Sequence, residues 1–413
     1  MKKRPFLIHS LILILLLNTS GCSSKLKKML SSKKTPVKVR PTYYCQSKFD
    51  EGERDFHFYT HDQKLSQSFL EVSKKNSLSD NEAFTLWLLM NSMAAPHSLH
   101  PNARLQLYII NPKKSSKKHS FSIQSFDTRS SQGGLSILIN KLIQKKRLSR
   151  LIRLANNHTP KHLLMTEQFF RFLSNHKSQI TLDSELWKKY TLSNDIIPIS
   201  ERFERSPYPR KLKRNLKKKS FSNQAIKTTS TLMALNQSTC PLYNKRPAKE
   251  EKSLATHIAL KTPSGRTYLL FSSVSEAKIL DNQIKAKASE QGVPVCFFEH
   301  ENQILVSSSL EGEKKEKILK FTLQEYFVKN MQHGSIVQML DSPRFVKAKH
   351  TNKILFESFR ADQDFQSKLH KFKSPLFHSN GLGIVNATKI DGQQSIYYFD
   401  SRDKTRYFCQ SSK

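Results

Sequence analysis

The sequence has few acidic residues for its length, and it lacks the compact motifs by which many enzymes are recognised. Asp and Glu number 33 against 69 Lys and Arg, which gives a formal net charge of +36. The zinc pattern His-Glu-x-x-His is absent, and so is the Lys-Ser/Thr ending of a phosphate-binding loop. After residue 22, no apolar run approaches the roughly 20 residues that span a bilayer. We therefore expect no metal, no cofactor and no membrane-spanning helix in the mature chain.

The first twenty-two residues have the three parts of a secretory signal. Residues 1–4 are cationic, an apolar run extends from Phe6 to Leu17, and small residues precede Cys22. The last four residues of this stretch, Thr-Ser-Gly-Cys, resemble the lipobox of bacterial lipoproteins. The resemblance covers residues 1–22 only. It implies cleavage before Cys22 and attachment of a diacylglycerol to its sulfur. An ordinary signal peptide cleaved nearby, with Cys22 an incidental thiol, is the alternative.

The residues after Cys22 extend this interpretation. Ser23 stands where lipoproteins retained in the inner membrane carry Asp, so the resemblance implies the outer membrane. Two or more acyl chains anchor a protein stably, whereas one chain binds only marginally. Residues 22–41 carry seven Lys or Arg and no acidic residue, which predicts a cationic tether near anionic headgroups. A solubilising linker of no specific role explains this segment equally well.

Cysteine is scarce, and its spacing argues against a zinc site. No two of the five cysteines form a Cys-x-x-Cys pair. Setting Cys22 aside leaves an even number, which in an oxidising compartment favours two disulfides with three possible connectivities. Either one bridge joins the two halves of the chain, or one thiol stays free. The candidate disulfide cysteines are Cys45, Cys240, Cys296 and Cys409.

The mature chain is long enough for two domains, and a change of composition marks a joint between them. Residues 42–197 are the predicted N-terminal domain and residues 255–413 the C-terminal domain. The linker, 198–254, contains a basic run from Arg205 to Lys219 and then a Ser/Thr/Asn-rich run. Antiparallel hairpins alternate with helices in both domains, so the predicted fold class is α+β with packed helices.

Local sequence patterns predict one helix and two hairpins. Ser79 and Glu82 match a capping box, which predicts a helix that ends before Pro96. The turn signals Pro263-Ser264-Gly265 and Asp391-Gly392 each predict a hairpin.

Two further capping boxes shape the prediction for the C-terminal domain. Ser273 with Glu276 predicts a helix to about residue 290, and Ser308 with Glu311 predicts one to about residue 331. This domain is therefore predicted as a strand-strand-helix unit that occurs twice.

The segment after residue 134 has a basic amphipathic pattern. Apolar residues recur at helical spacing as far as Ile152, opposite a cationic face. Such a helix can lie on an anionic membrane, but we favour a helix packed on the core with its charged face in solvent. The candidate polyanion-binding residues of this helix and the linker are Lys145, Lys146, Arg147, Arg150, Arg205, Arg210, Lys211, Lys213, Arg214, Lys217, Lys218 and Lys219.

Two patterns suggest catalysis, and both are weak. Ser275-x-x-Lys278 and the Ser-Asp-Asn run at 79–81 match elements of penicillin-binding proteins, but their order is reversed and no Lys-Thr-Gly follows. The pairs His57/His61 and His97/His100 each supply only two ligands, whereas zinc needs three or four. We predict neither a serine active site nor a metal site.

The high positive net charge indicates which partners the protein can bind, but it does not indicate the fold. In an envelope protein the available polyanions are lipopolysaccharide, phospholipid headgroups and cell-wall polymers, so we expect no physiological binding to nucleic acid. The sequence predicts an envelope lipoprotein with a non-enzymatic binding or structural role, which engages anionic surfaces or polymers through Lys and Arg. Two alternatives stay open: a periplasmic hydrolase whose site is not recognisable from sequence, and a scaffold for a protein partner.

Overall fold

The computed structural model describes most of the chain after residue 41. The described residues are 42–46, 55–113, 120–128, 133–206, 229–230, 254–280, 283–290, 292–300, 303–311, 318–319, 322, 333–347, 352–379, 381–391 and 394–411. One compact unit extends over Arg40–Lys413. The predicted division into separate domains at 42–197 and 255–413 is therefore wrong.

Helices and strands both contribute substantially to this unit, and the predicted α+β class is confirmed. The described helices are α1 (Gln63–Asn76), α2 (Asp80–Ala94), α3 (Gly134–Leu142), α4 (Lys145–His158), α5 (Glu167–Asn175), α6 (Lys177–Thr181), α7 (Ser184–Tyr190), α8 (His333–Asp341) and α9 (Gln363–His370). The described strands are β1 (Tyr43–Gln46), β2 (His57–Thr60), β3 (Arg104–Lys113), β4 (Ser120–Asp127), β5 (His162–Leu164), β6 (Thr191–Leu192), β7 (Asp195–Ile196), β8 (Arg202–Glu204), β9 (Thr229–Ser230), β10 (Leu254–Lys261), β11 (Thr267–Leu280), β12 (Gln283–Ala288), β13 (Val295–His300), β14 (Gln303–Glu311), β15 (Phe345–Lys347), β16 (Ile354–Phe356), β17 (Leu376–His378), β18 (Ile384–Asp391), β19 (Gln394–Phe399) and β20 (Phe408–Ser411).

Strands from both predicted domains share one large antiparallel sheet. Its order is β20-β2-β10-β11-β3-β4-β9, with β12 paired to β11. Leu260 of β10 pairs with Phe58 of β2, and Leu270 of β11 pairs with Leu107 of β3. A second antiparallel sheet has the order β1-β19-β18-β14-β13. Because the first sheet alternates early and late segments, the two halves of the chain have to fold together.

The two sheets stack face to face between layers of helices. Side chains alternate along β11: Leu270 packs into the core shared with α1 to α7, and Leu269 packs into the core between the sheets. On the outer face of the second sheet, Val385 of β18 packs with Leu340 of α8. The layers therefore run helices, sheet, sheet, helix.

The first capping box is confirmed. The backbone N–H of Ser79 donates to Glu82 Oε2 at 3.0 Å, and α2 starts at the next residue. The hairpin of β10 and β11 turns at the predicted Pro263-Ser264-Gly265, where Gly265 adopts φ +85°. The hairpin of β18 and β19 is also as predicted, although Gly392 lies outside the described residues.

The other two capping boxes do not start helices. Ser273 and Glu276 lie within β11, and Ser308 and Glu311 lie within β14. Both strands are hydrogen-bonded to strands on each side, so backbone pairing satisfies the groups that a helix would have satisfied. Of residues 312–331, the rest of the second predicted helix, only 318–319 and 322 are described.

Three of the four candidate disulfide cysteines lie in the described part of the chain, and all three are disulfide-bonded. Cys45 of β1 and Cys409 of β20 form a disulfide with a Cα–Cα distance of 5.2 Å, which ties the first strand to the last. Cys296 also takes part in a disulfide. Cys22 and Cys240 lie outside the described residues.

A buried ion network lies beside the second sheet. Arg344 Nη2 pairs with Asp400 Oδ2 at 2.7 Å, and Arg402 Nη1 reaches Asp400 Oδ1 at 2.9 Å. Arg402 Nε donates to Glu357 Oε1 at 2.6 Å. Burial opposes ionisation of Asp400, but the charges of Arg344 and Arg402, together with hydrogen bonds from two backbone N–H groups, outweigh it and hold the pKa of Asp400 at about 2. Burial lowers the pKa of Arg344 to about 10, so all four groups stay charged at neutral pH.

Within the described part of the chain, no helix has the length and apolar character needed to cross a membrane.

Candidate functional site

A pocket opens where strands β2 and β10 meet helices α2 and α5 and the segment before β20. It has an empty volume of about 520 Å³, part of which is open solvent. Tyr59 and Thr60 of β2, Thr256 of β10, Gln168 of α5 and Tyr407 are among its lining residues. These residues belong to segments that are far apart in sequence. The pocket therefore exists only because β10 lies beside β2 in the large sheet.

Thr256 presents its hydroxyl to the helical side of the sheet. Ala255 packs between the sheets, whereas Ile258, which shares the face of Thr256, packs against the helices. The Oγ1 atom of Thr256 lies 2.5 Å from Ser98 Oγ, and the hydroxyl donates to Gln168 Oε1 at 3.5 Å. The half-buried hydroxyl is thus held at the start of β10 by two neutral polar groups.

Two buried histidines line this pocket from different faces of the sheet: His97 packs on the helical face, and His257, which alternates with Thr256 along β10, packs on the face between the sheets. The His97 ring is stacked on Phe169 with centroids 4.9 Å apart, and the His257 ring is stacked on Phe271 at 4.5 Å. Burial lowers the pKa of each imidazole to about 3, so both are neutral at physiological pH. Within the described residues, neither nitrogen of either ring has a hydrogen-bond partner.

A third histidine, His61, lines the same pocket directly after β2. Burial of its ring lowers its pKa to about 4, although part of the residue remains exposed. Its buried Nε2 has no hydrogen-bond partner among the described residues. Unpaired buried polar atoms are uncommon in folded proteins. Three histidines in this condition around one pocket mark it as the leading candidate site.

Other polar groups of the pocket are satisfied by the protein. The Tyr59 hydroxyl donates to the carbonyl oxygen of His257 at 2.9 Å, and the Tyr407 hydroxyl donates to Asp403 Oδ2 at 2.9 Å. None of the described residues that line the pocket is Asp, Glu, Lys or Arg. Its wall is therefore polar but uncharged at neutral pH.

The histidine pairs noted in the sequence do not assemble into a metal centre. His61 and His97 both line the pocket, but His100 faces elsewhere, with Nε2 3.0 Å from the carbonyl oxygen of Ile284. The described residues contain no group of three or more His, Cys, Asp or Glu that could hold a metal ion.

The predicted basic residues of the helix lie on the surface of α4. Lys146, Arg147 and Arg150 are exposed, and Lys145 begins the helix with a side chain outside the described part. Leu151 on the opposite face is buried in the core. The single helix predicted after residue 134 is divided into α3 and α4.

The predicted basic residues of the linker lie mostly outside the part of the chain that the structure describes. Arg205 is described, and its Nη1 donates to the carbonyl oxygen of Thr159 at 2.5 Å. The others lie outside the described residues, namely Arg210, Lys211, Lys213, Arg214, Lys217, Lys218 and Lys219.

Sequence reasoning missed the role of Thr256 and His257. The pattern at 256–260 predicts a strand, and the structure has one at Leu254–Lys261, but nothing in that pattern marks Thr256 or His257 as lining a pocket. His97 was noted only as half of a metal pair. A polar Thr-His dipeptide at the start of a buried strand was the available signal.

Comparison with known proteins gives structural matches only. No family model matches the chain, and no curated protein does. Two structures of LmbA2991 align with TM-scores of 0.59 and 0.58 at 8% identity, over 90% of this chain and 99% of each of those chains. A cephalosporin acylase from Bacillus halodurans aligns with a TM-score of 0.52 at 8% identity, over 92% of this chain and 98% of that chain. At such low identity these matches show the fold alone, and the chain therefore has an α+β fold shared with a cephalosporin acylase.

Proposed function

We propose that the protein is an outer-membrane lipoprotein with a binding or structural role, held to the membrane by lipid on Cys22. Its exposed Lys and Arg side chains engage anionic envelope surfaces or polymers. The observation that supports this proposal is α4, whose cationic face is exposed while its apolar face is buried in the core. The fold holds these charges outward on a rigid element.

The cationic surface extends from α4 onto the end of α1. Arg150 Nη2 donates to Asn76 Oδ1 at 3.0 Å, which brings α4 next to the exposed Lys74 and Lys75. Each Lys or Arg close to an anionic membrane contributes about 1 kcal/mol of attraction. Because the apolar face of α4 is already packed, its contact with a membrane would be electrostatic and not insertion.

The lipid anchor and the basic surface make separable contributions to membrane binding. The wild-type protein should stay in the membrane fraction at any salt concentration, because acyl chains are insensitive to screening. A Cys22→Ala variant should retain weak binding at low salt and be released as salt rises, since exposed charges are screened over about 10 Å at 0.1 M. Adding Lys146→Glu, Arg150→Glu and Arg153→Glu should weaken the residual binding by at least about a hundredfold, because the loss of three attractions of about 1 kcal/mol each already gives that factor. Sedimentation of membranes at graded salt measures both effects.

The matched control reverses three exposed lysines elsewhere, Lys161, Lys188 and Lys287. It changes the net charge equally and should leave the residual binding nearly intact. Equal losses in the two triple variants would show that net charge acts, and not the α4 surface. Salt-resistant binding of Cys22→Ala would show that lipid on Cys22 is not the anchor.

An acyl hydrolase is the second candidate function. The fold is shared with a cephalosporin acylase, and the hydroxyl of Thr256 stands in the pocket. Hydroxyl nucleophiles need a base within hydrogen-bond reach. The described partners of Thr256 are Ser98 and Gln168, and neither is a base at neutral pH. For this reason we propose a binding role first and acyl hydrolysis second.

The hydrolase candidate predicts release of an amine from an amide substrate such as an N-acylated cephalosporin. Thr256→Val keeps the shape of the side chain without the hydroxyl, and it should lower the rate by about a hundredfold or more. Thr181→Val, at an exposed position on α6, should leave the rate unchanged. Fluorescent detection of the free amine measures both variants. No amine release by the wild type, or equal rates in the two variants, would remove this candidate.

A further inference from the structure

The buried histidines around the pocket have hydrogen-bonding capacity that the described protein does not use. His97 is 1% exposed and His257 is 9% exposed. A neutral imidazole carries one N–H donor and one acceptor nitrogen. Leaving such atoms unpaired in a buried site costs about 1–3 kcal/mol each. The fold therefore accepts a cost here that a bound molecule would offset.

The wall of the pocket specifies the kind of molecule. Its described lining carries no charged side chain, so an ionised ligand would lose hydration without gaining a counter-charge. Aromatic rings contribute flat surfaces. The Tyr59 ring lies 5.3 Å from the Tyr407 ring and 5.7 Å from the His257 imidazole, measured between ring centroids. Gln168 adds an amide that can both donate and accept hydrogen bonds.

We propose that this pocket is a binding site for an uncharged carboxamide group, of the kind carried by a primary amide or an amidated peptide end. A carboxamide is planar, and it presents a carbonyl acceptor and N–H donors side by side. This pattern complements the donor and acceptor of a neutral imidazole and the amide of Gln168. Water, the competing occupant, could satisfy the same nitrogens but would not use the flat apolar surfaces.

The site is separate from the basic surface of α4 and does not depend on the proposed membrane binding. It also does not require catalysis, because the hydrogen-bonding groups that define it are the histidines and not the Thr256 hydroxyl. The pocket can thus bind an amide whether or not the protein hydrolyses one.

Propionamide and propionate make a matched pair of probes, because they differ mainly in charge. Saturation-transfer NMR on the full chain should detect propionamide with a dissociation constant in the millimolar range, as expected for a ligand of so few atoms. Propionate should bind at least tenfold more weakly at pH 7. Equal binding of the two probes, or no binding of propionamide at 100 mM, would overturn the proposal and leave the pocket to water.

Substitutions of pocket residues test whether propionamide binds in this pocket. His97→Phe keeps a stacked ring without nitrogens and should weaken propionamide at least tenfold. His158→Phe changes an exposed histidine at the end of α4 and should have no effect. If His97→Phe does not fold, Gln168→Leu at a half-buried position on α5 should still weaken propionamide several-fold. Unchanged affinity in folded His97→Phe, or in Gln168→Leu, would show that the probe binds elsewhere.

Discussion

Replacing Arg402 by methionine should lower the free energy of unfolding by about 3–5 kcal/mol, the usual cost of removing one partner from a buried ion pair. Arg402 is 5% exposed in its side chain, and it is the ion-pair partner that Glu357 shares with Asp400. Without it, the direct donors that Glu357 keeps among the described residues are the backbone N–H groups of Arg344 and Leu382, and the Arg344 charge acts on it without a direct ion pair. A carboxylate buried with so little compensation either destabilises the fold or takes up a proton.

Urea denaturation measures this loss as a lower midpoint at an unchanged slope. Lys177→Met is the matched control, because Lys177 lies 2.8 Å from Asp195 with both side chains largely exposed. It should cost less than about 1 kcal/mol. Adding Glu357→Gln to Arg402→Met should recover part of the loss, because the stranded charge is removed. A loss near that of Lys177→Met would mean that the network is more hydrated than its burial indicates.

Some local elements of this chain can be predicted from the sequence, and others cannot. Hairpins at Pro263-Ser264-Gly265 and at Asp391 were predictable because turn chemistry is local. The helix after Ser79 was predictable because its capping box is followed by a helical apolar pattern and then a proline. Ser273 and Ser308 carry the same short motif but lie in strands that are paired on both sides. Whether this motif begins a helix or lies in a strand is therefore determined by pairing with distant strands.

The two-domain prediction failed for a related reason. Residues 198–254 have the composition of a linker, and that composition says nothing about which strands pair across it. The structure pairs β10 with β2 and β11 with β3, so segments on both sides of the supposed joint form one sheet. Local sequence patterns do not determine which strands pair when the strands are far apart in the chain.

The candidate site was harder still to predict. Ser98 and Thr256, whose hydroxyls touch, are 158 residues apart. Nothing in the sequence near His97 distinguishes a histidine that faces a pocket from one that satisfies its neighbours, as His100 does. The basic face of α4 was predictable because amphipathic periodicity places exposed and buried residues from sequence alone.

Lowering the pH from 7 to 4.5 should destabilise the folded protein by an amount on the order of 5 kcal/mol through His97 and His257 alone. Burial holds the pKa of both rings at about 3 in the folded state, against 6.5 in the unfolded chain. Between these values the unfolded state binds protons that the folded state excludes. The stability is therefore fully present above pH 6.5 and is lost as the pH falls toward 3.

A glutamine at position 97 cannot become an imidazolium, so His97→Gln should remove about half of this loss between pH 7 and 4.5. His158→Gln should leave the loss unchanged, since that ring is exposed. Urea midpoints across this pH range measure the difference, and the comparison rests on slopes, so a lower stability of His97→Gln at pH 7 does not affect it. Protonation of Asp400 is not involved, because its pKa of about 2 lies below the range. An unchanged slope in His97→Gln would show that the His97 ring reaches solvent and titrates in the folded protein. The same result would also count against the uncharged pocket, because its selectivity for a neutral amide depends on neutral rings.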